Sequence, residues 1–83
     1  MSDKLTKHKV IIYSTPSCVY CKVAKEYFKD NNVEYTEYNV VNDIPKREEM
    51  FQKSGQMGVP VIDIDGSITV GFDEERIQSF LGI

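Results

Sequence analysis

The fold is decided by residues 10–21, which read VIIYSTPSCVYC and lead from a predicted strand into a predicted helix. The strand is the continuous β-branched and aromatic run from Val10 to Tyr13, a pattern typical of a strand covered on both faces. The helix is indicated by apolar side chains that recur at i, i+3, i+4, i+7 and i+8. These side chains are Tyr20, Val23, Ala24, Tyr27 and Phe28. Residues 14–17 separate the two elements, so a pair of cysteines falls at their junction.

Five more elements follow outward from this stretch. They are a strand at about Val33–Asn39, a helix capped by Asn42 or Asp43 and stopped by Gly55, strands Val61–Ile64 and Ile68–Val70, and a helix capped by Asp73 and stopped by Gly82. Apolar runs, capping residues and turn residues predict these bounds. The second helix has a narrow apolar face of Ile44, Met50 and Phe51, which we expect to cover an edge of the sheet.

The order of these elements predicts an α/β fold. Asp65-Gly66 accepts the positive φ values of a tight hairpin turn, so we expect the last two strands to be antiparallel. Each helical crossover is expected to make the strands that it joins parallel. The order β-α-β-α-β-β-α therefore predicts a four-stranded mixed sheet flanked by three helices.

The composition is that of one ordinary globular domain. The chain has 83 residues, 41% of them hydrophobic, so we expect a single domain over residues 1–83 with a thin core and a shallow site. Its 10 Lys and Arg against 13 Asp and Glu give a net charge of -3, which argues against nucleic acid or an anionic membrane as partner. No signal peptide or membrane span is recognisable. The lack of an export signal predicts a cytoplasmic location, and we expect the protein to be a monomer.

The two cysteines, Cys18 and Cys21, are the residues that carry chemistry. A disulfide across so small a ring would stabilise the fold little, and cytosolic cysteine pairs are more often catalytic or metal-binding than structural. Cys18 is expected beside unpaired amides at the positive end of the helix, where a thiolate is favoured, so it is the predicted nucleophile. Cys21 lies three residues on and is predicted to resolve a mixed disulfide formed on Cys18.

Other interpretations of this region stay open. The cysteine spacing also suits half of a zinc site, but only His8 is a further soft ligand, so a zinc ion or an iron–sulfur cluster would have to be shared by two chains. A redox-inert adaptor is a third possibility. Lys22 either favours the thiolate or is an ordinary surface charge, and His8 is expected to be solvated. Tyr20 is either core or an exposed ring beside the thiolate, and its place between the cysteines favours exposure.

Val59-Pro60 opens the third predicted strand, where proline gives up no ladder hydrogen bond. Sequence alone does not establish whether this peptide bond is cis. If it is, the Val59 backbone is left free to pair with an extended substrate, as a strand added to the sheet.

Three motifs together give the chain a family resemblance. Residues 18–21, CVYC, residues 54–60, SGQMGVP, and residues 70–73, VGFD, resemble the glutaredoxins of the thioredoxin-fold superfamily, especially small bacterial glutaredoxin-like proteins of the YruB type. The resemblance covers about Lys9 to Leu81. It implies a thioredoxin-like fold and a cis Pro60 that faces the active site.

The resemblance also implies a substrate groove. Its expected lining residues are Tyr20, Val59, Pro60, Gly71, Phe72 and Asp73. In that groove the Val59 backbone would meet the cysteine of a glutathione-like or peptide disulfide, and Asp73 its amino group. The implied activity is dithiol reduction of protein disulfides or glutathione mixed disulfides, with no bound cofactor or metal and with glutathione as a possible co-substrate.

The chain departs from the family pattern at three places. Val19 stands where proline commonly follows the first cysteine, Thr15 where a basic residue is usual, and Met57-Gly58 where an Arg-Thr pair often precedes Val-Pro. Two cationic contacts to glutathione carboxylates are thus missing at the expected places, although Lys22 or Lys53 could substitute. The reductant that the resemblance implies is therefore either glutathione or thioredoxin reductase.

Overall fold

A computed structural model describes residues 8–83 of the chain. Its elements are β1 (Val10–Ser14), α1 (Val19–Asp30), β2 (Thr36–Asn39), α2 (Ile44–Ser54), β3 (Val61–Ile64), β4 (Ser67–Val70) and α3 (Glu74–Leu81). The predicted element order is confirmed. The sheet has four strands in the order β2-β1-β3-β4, with β1 and β2 parallel and the other neighbours antiparallel. This is the mixed sheet expected from the sequence.

One predicted strand direction is wrong. The crossover through α2 does not make β2 and β3 parallel, because β3 runs antiparallel to β1 while β2 runs parallel to it. The last residue of β2, Asn39, pairs with Ser14, and the first residue of β3, Val61, pairs with Tyr13 on the same strand. The connection through α2 therefore returns to the end of the sheet at which β2 finishes.

The two ends of the sheet are distinct. At the cysteine end, defined by Ser14, Val61 and Val70, β1 and β4 finish and β3 begins. At the turn end, defined by Val10 and Ile64, β3 passes into β4. Both residues of that turn have positive φ, at 54° for Asp65 and 95° for Gly66, as the sequence predicted.

The core lies on both faces of the sheet, because successive side chains of a strand point to opposite faces. One cluster under α1 and α3 comprises Val10, Ile12, Ala24, Phe28, Ile62, Ile64, Ile77 and Leu81. The other, which includes Met50 of α2, also comprises Tyr13, Val40 and Val61. Ile12 and Tyr13, neighbours in β1, therefore lie in different clusters, and the strand is covered on both faces as predicted.

The predicted second strand begins three residues too early. The backbone N–H of Val33 donates to the Phe28 carbonyl at 2.8 Å and so closes the C-terminal turn of α1, with Asn32 at a φ of 58°. Val33 and Tyr35 pack against the first cluster without joining the strand. A helix ending and a strand ladder compete here for the same backbone groups, and the helix ending prevails.

The predicted apolar face of α2 is also wrong for two of its three residues. Met50 is fully buried, but Ile44 is 55% exposed and Phe51 is 48% exposed. The helix is held to the sheet by an ion pair as well, since the Lys53 ammonium lies 2.7 Å from the Asp63 carboxylate on β3. One buried apolar side chain and this ion pair replace the expected apolar face.

His8 is only partly solvated, whereas the sequence predicted a solvated residue. Its Nδ1 lies 2.5 Å from the Asp65 carboxylate and its Nε2 lies 3.0 Å from the Leu81 carbonyl, both within hydrogen-bonding distance. The side chain is half-buried at the turn end and ties the start of β1 to the hairpin and to the end of α3. No helix among residues 8–83 is long and apolar enough to cross a membrane.

Candidate active site

The predicted site residues gather at the cysteine end of the sheet. The loop after Ser14 leads to Cys18 at the N-cap of α1 and to Cys21 in its first turn, and Pro60 immediately precedes Val61, which pairs with Tyr13. The Gly71 backbone N–H donates to the Pro60 carbonyl at 2.7 Å, which continues the pairing of β3 with β4 by one residue. The motifs at residues 54–60 and 70–73 are therefore hydrogen-bonded to each other. They lie beside β1, the strand that leads to the cysteine motif.

Cys18 is the N-cap residue of α1. Its Sγ accepts the backbone N–H of Cys21 at 3.1 Å, and its carbonyl accepts the Lys22 N–H at 3.3 Å. Helix capping by an extended residue leaves the side chain among the unpaired amides of the first turn. No acidic residue lies in that turn, so nothing there offsets the positive end of the helix.

The two cysteines form a disulfide with their Cα atoms 5.2 Å apart, a separation usual for such a bond. Cys18 is partly exposed, whereas Cys21 is fully buried. A sulfur at the surface and a second sulfur behind it form a pair in which an incoming disulfide can reach only the first. This asymmetry is what nucleophilic attack followed by resolution needs.

The side chains around Cys18 are apolar and exposed. Val19 is 67% exposed and Tyr20 is 65% exposed, although Tyr20 belongs to the apolar stripe of the helix. Val23 of the same stripe is also 41% exposed, and the stripe is fully buried only at Ala24 and Phe28. Of the two interpretations of Tyr20, the exposed ring is the one found.

The Val59–Pro60 peptide bond is cis, as the resemblance implies. Pro60 itself is buried and Val59 half-buried. None of residues 8–83 forms a hydrogen bond with the N–H or the carbonyl of Val59. An open peptide unit at the end of a sheet is a place where an extended segment can add as a strand.

Phe72 and Asp73 have structural contacts as well as a place at this end of the sheet. The Phe72 ring packs edge-on against Tyr27, with 5.6 Å between the ring centroids, and is only half exposed. Asp73 caps α3, since its Oδ1 accepts the Arg76 N–H at 3.2 Å. The capping bond holds the exposed Asp73 carboxylate at a defined place beside Gly71.

Lys53 does not substitute for the missing cations. Its ammonium group donates to Asp63 at 2.7 Å and to the Tyr13 hydroxyl at 2.8 Å, and it lies 3.5 Å from Glu49. Burial lowers the pKa of Lys53, but the hydrogen bonds to Asp63 and Tyr13 outweigh it and raise that pKa overall. The charge is thus retained and committed to internal partners.

The Lys53–Asp63 pair was missed by sequence reasoning, yet the sequence held a signal for it. Asp63 lies inside the otherwise apolar strand VIDI, and a carboxylate that is only 8% exposed needs a partner. Its other oxygen, Oδ1, accepts the Gly66 N–H at 2.7 Å. One acidic residue in β3 therefore fixes both α2 and the hairpin turn.

Lys22 is exposed and forms no salt bridge within the part of the chain that the structure describes. It lines a shallow cavity of about 320 Å³ with Thr15 and Lys25. Lys25 is paired with Glu37 at 2.9 Å, and the Ser14 hydroxyl donates to the same carboxylate at 2.5 Å. Lys22 is therefore a cation next to the cysteines that keeps its hydrogen-bonding capacity for an outside group.

No three side chains of His, Cys, Asp or Glu among residues 8–83 are grouped so that they could hold a metal ion. His8, the one further soft ligand in the sequence, lies at the turn end of the sheet, away from the cysteines. The described residues therefore do not bring His8 to the cysteine pair.

Taken together, a sheet of this topology with a Cys-x-x-Cys pair capping its first helix and a cis-proline beside it defines the thioredoxin-like class. The glutaredoxin family model matches residues 10–69, and the chain belongs to the glutaredoxin family.

Individual relatives agree. A glutaredoxin-like 8.6 kDa protein of the rubredoxin operon of Clostridium pasteurianum is 50% identical over 70 residues, which cover 84% of this chain and 93% of that protein. Glutaredoxin 3 of Escherichia coli K12 is 37% identical over 65 residues, 78% of each protein. The crystal structure of the thioredoxin-like protein BC3987 superimposes with a TM-score of 0.81 at 33% identity, covering 87% of this chain and 99% of that one.

Proposed function

We propose that this protein is a dithiol thiol-disulfide oxidoreductase in which Cys18 attacks the substrate disulfide and Cys21 resolves it. The observation that carries the proposal is the placement of the two sulfurs, one partly exposed at the helix cap and one buried behind it. Amides at a helix start favour the thiolate over the thiol. The thiolate is the attacking species in disulfide exchange, so the residue at the cap performs the first step.

The reaction runs in two exchanges. In the reduced protein, the Cys18 thiolate attacks one sulfur of the substrate; the substrate S–S bond breaks, and the other half leaves as a thiolate that takes a proton from water. Cys21 then loses its proton and attacks the Cys18 sulfur of the mixed disulfide, releasing the second substrate thiol. The substrate gains two electrons, and the protein ends with the Cys18–Cys21 disulfide.

The substrates proposed are protein disulfides and glutathione mixed disulfides. The exposed apolar side chains Val19 and Tyr20 beside the nucleophile support a protein substrate, because solvent-exposed apolar area at a site is typical of protein contacts. The reaction needs no bound cofactor, and one chain supplies both sulfurs, so a single chain is sufficient for the proposed reaction.

Two reductants can return the electrons, glutathione or thioredoxin reductase. Three positions support thioredoxin reductase. Thr15 and Met57 are uncharged, and the Lys53 ammonium is paired with Asp63, so none of the three supplies a cation to a glutathione carboxylate. Lys22 is the residue that supports glutathione. A coupled assay separates them: the oxidised protein and NADPH are offered either glutathione with its reductase or thioredoxin reductase, and the combination that consumes NADPH names the reductant.

The cysteine roles are tested by mixing reduced protein with a glutathionylated peptide and following the release of glutathione. Cys18→Ser is expected to remove all acceleration over the spontaneous exchange, because serine supplies no thiolate. Cys21→Ser keeps the first exchange and stops at the mixed disulfide, which a mass spectrum detects. Full activity of the Cys18→Ser protein would refute the assignment.

A further inference from the structure

The side chain of Gln56 folds back onto its own loop between α2 and β3. The Gly58 backbone N–H donates to Gln56 Oε1 at 2.5 Å, and Gln56 Nε2 donates to the Gly58 carbonyl at 3.1 Å. One side-chain amide thus pairs with both polar groups of a single backbone residue. This is the pattern of hydrogen bonds by which one strand residue pairs with another across an antiparallel ladder.

Ser54 fixes the orientation of that amide. Its Oγ lies 3.3 Å from Gln56 Nε2 and 3.4 Å from the Gln56 backbone N, and accepts from both. The same hydroxyl lies 2.8 Å from the Met50 carbonyl and 2.9 Å from the Gln56 carbonyl, either of which can accept its proton. The amide is therefore anchored to the last turn of α2 on one side and to Gly58 on the other.

Gly58 leaves space for this arrangement. A Cβ atom on Gly58 would lie 2.7 Å from Gln56 Oε1, closer than two such atoms can approach, while the φ of Gly58 is not in the left-handed region. A Cβ at position 58 would therefore displace the Gln56 amide from this place, whereas the backbone conformation of Gly58 does not itself call for glycine. Glycine is also the residue with the greatest backbone freedom, so a loop that contains it needs an external restraint to stay in one conformation.

The restrained residue stands next to the open peptide unit of Val59 and the cis Pro60. We infer that Gln56 is a positioning residue, which holds Gly58 and through it the Val59 peptide unit in the extended alignment that pairs with the backbone of a disulfide-bearing segment. The inference rests on the proposed function. Gln56 touches neither sulfur, so it acts on the binding of an extended substrate and leaves the exchange chemistry to the cysteines.

The test compares a substrate that has a backbone with one that has none. Reduced protein is mixed with increasing excess of a glutathionylated pentapeptide with a central cysteine, and separately with hydroxyethyl disulfide. Removing hydrogen bonds of this kind is expected to raise the half-saturating peptide concentration of Gln56→Ala by about three- to tenfold, with the limiting rate unchanged. The reaction with hydroxyethyl disulfide is expected to keep its wild-type rate.

Gln52→Ala is the matched control, since Gln52 is an exposed glutamine of α2 without a hydrogen bond to the loop among the described residues. Gly58→Ala is expected to reproduce the Gln56→Ala defect, because the new methyl group displaces the amide. The double variant is then no worse than Gln56→Ala alone, a non-additivity typical of two residues that act as one unit.

The outcomes separate the inference from the proposed function. If wild-type protein reduces neither substrate, the proposed function fails. If it reduces both, and Gln56→Ala either binds the peptide normally or slows both substrates equally, the oxidoreductase assignment stands and the positioning role is wrong. Additive defects in the Gln56→Ala/Gly58→Ala double variant would likewise overturn the role.

Discussion

The two ends of the sheet differ in how completely their polar groups are paired. At the turn end, Asp65 accepts from both His8 and the Lys9 N–H, and His8 reaches on to the Leu81 carbonyl. At the cysteine end, the Val59 peptide unit and the Lys22 ammonium form no such bonds with residues 8–83. We call the turn end closed, because these polar groups have partners within the protein, and the cysteine end open, because these groups have none among residues 8–83.

This difference separates residues that stabilise the fold from residues that are available to a partner. The carbonyl of Leu81 belongs to the last turn of α3, where carbonyls have no partner within the helix. His8 supplies that partner at the turn end. At the cysteine end the corresponding unpaired groups are the amides at the start of α1, and these are used by the Cys18 sulfur. The end of α3 is thus hydrogen-bonded to a residue that precedes β1, whereas the start of α1 is hydrogen-bonded to the Cys18 sulfur.

The largest effect is expected from Asp63→Ala. The substitution leaves the half-buried Lys53 ammonium without its nearest carboxylate and the Gly66 N–H without an acceptor. Removing one partner of a partly buried pair costs about 3 kcal/mol in the free energy of unfolding. Urea unfolding at neutral pH measures this loss of stability. The alkylation rate of Cys18 in the reduced protein shows whether the substitution also affects the cysteine end of the sheet.

Asp63→Asn divides this effect between its two contacts. The amide oxygen can still accept from Gly66 while the ion pair with Lys53 is lost, so an intermediate stability is expected. The alkylation rate of Cys18 should be unchanged in both variants. A slower alkylation would mean that the two ends are coupled and that their separation is incorrect.

A smaller effect is expected from His8→Ala. Both ring nitrogens are hydrogen-bonded and the side chain is only 20% exposed, so its loss should cost about 1–2 kcal/mol of unfolding free energy. Tyr20→Ala is the matched change at the cysteine end, where a 65% exposed ring should cost less than about 0.5 kcal/mol. Equal losses in the two variants would remove the distinction between a closed and an open end.

Sequence patterns predicted the order of elements because those patterns are local. The stripe from Tyr20 to Phe28 and the Asp65-Gly66 turn need no knowledge of the rest of the chain. Two of the errors concern residues whose state depends on partners farther along the chain. His8 is bonded to Leu81 and Lys53 to Asp63, and neither contact leaves a periodic signal.

The site divides in the same way. The cysteine pair, its place before a helix and the exposure of Tyr20 follow from local spacing, whereas the cis state of Pro60 came only from the resemblance. The hydrogen bonds between the Gln56 side chain and Gly58 join residues only two positions apart, and they were still missed. They depend on a side-chain rotamer that a polar loop sequence does not specify. The direction of β3 was missed because a helical crossover usually joins parallel strands, and the one through α2 does not.

The smallest effect is expected in acid, where carboxyl groups at the two ends should lose their contributions to the free energy of unfolding at different pH values. A hydrogen bond from Ser14, reinforced by Lys25, holds the pKa of Glu37 near the cysteine end below its ordinary value of 4.5. Backbone and side-chain hydrogen bonds from Lys9 and His8 hold the pKa of Asp65 at the turn end below 3.8. A carboxyl whose pKa is lower in the folded state stabilises the fold above its unfolded pKa, and this stabilisation is lost as the pH falls through the folded pKa.

Glu37→Gln should therefore flatten the loss of stability that begins below pH 4.5, and Asp65→Asn the loss that begins below pH 3.8. Because Glu37 is 36% exposed, its contribution is screened by solvent and stays below about 1 kcal/mol. Urea midpoints between pH 3 and pH 7 measure both slopes, with Glu34→Gln as a control for an exposed glutamate. If Glu37→Gln leaves the slope as it is in the wild type, the Ser14–Glu37–Lys25 group does not stabilise the cysteine end, and that end is more open than its contacts indicate.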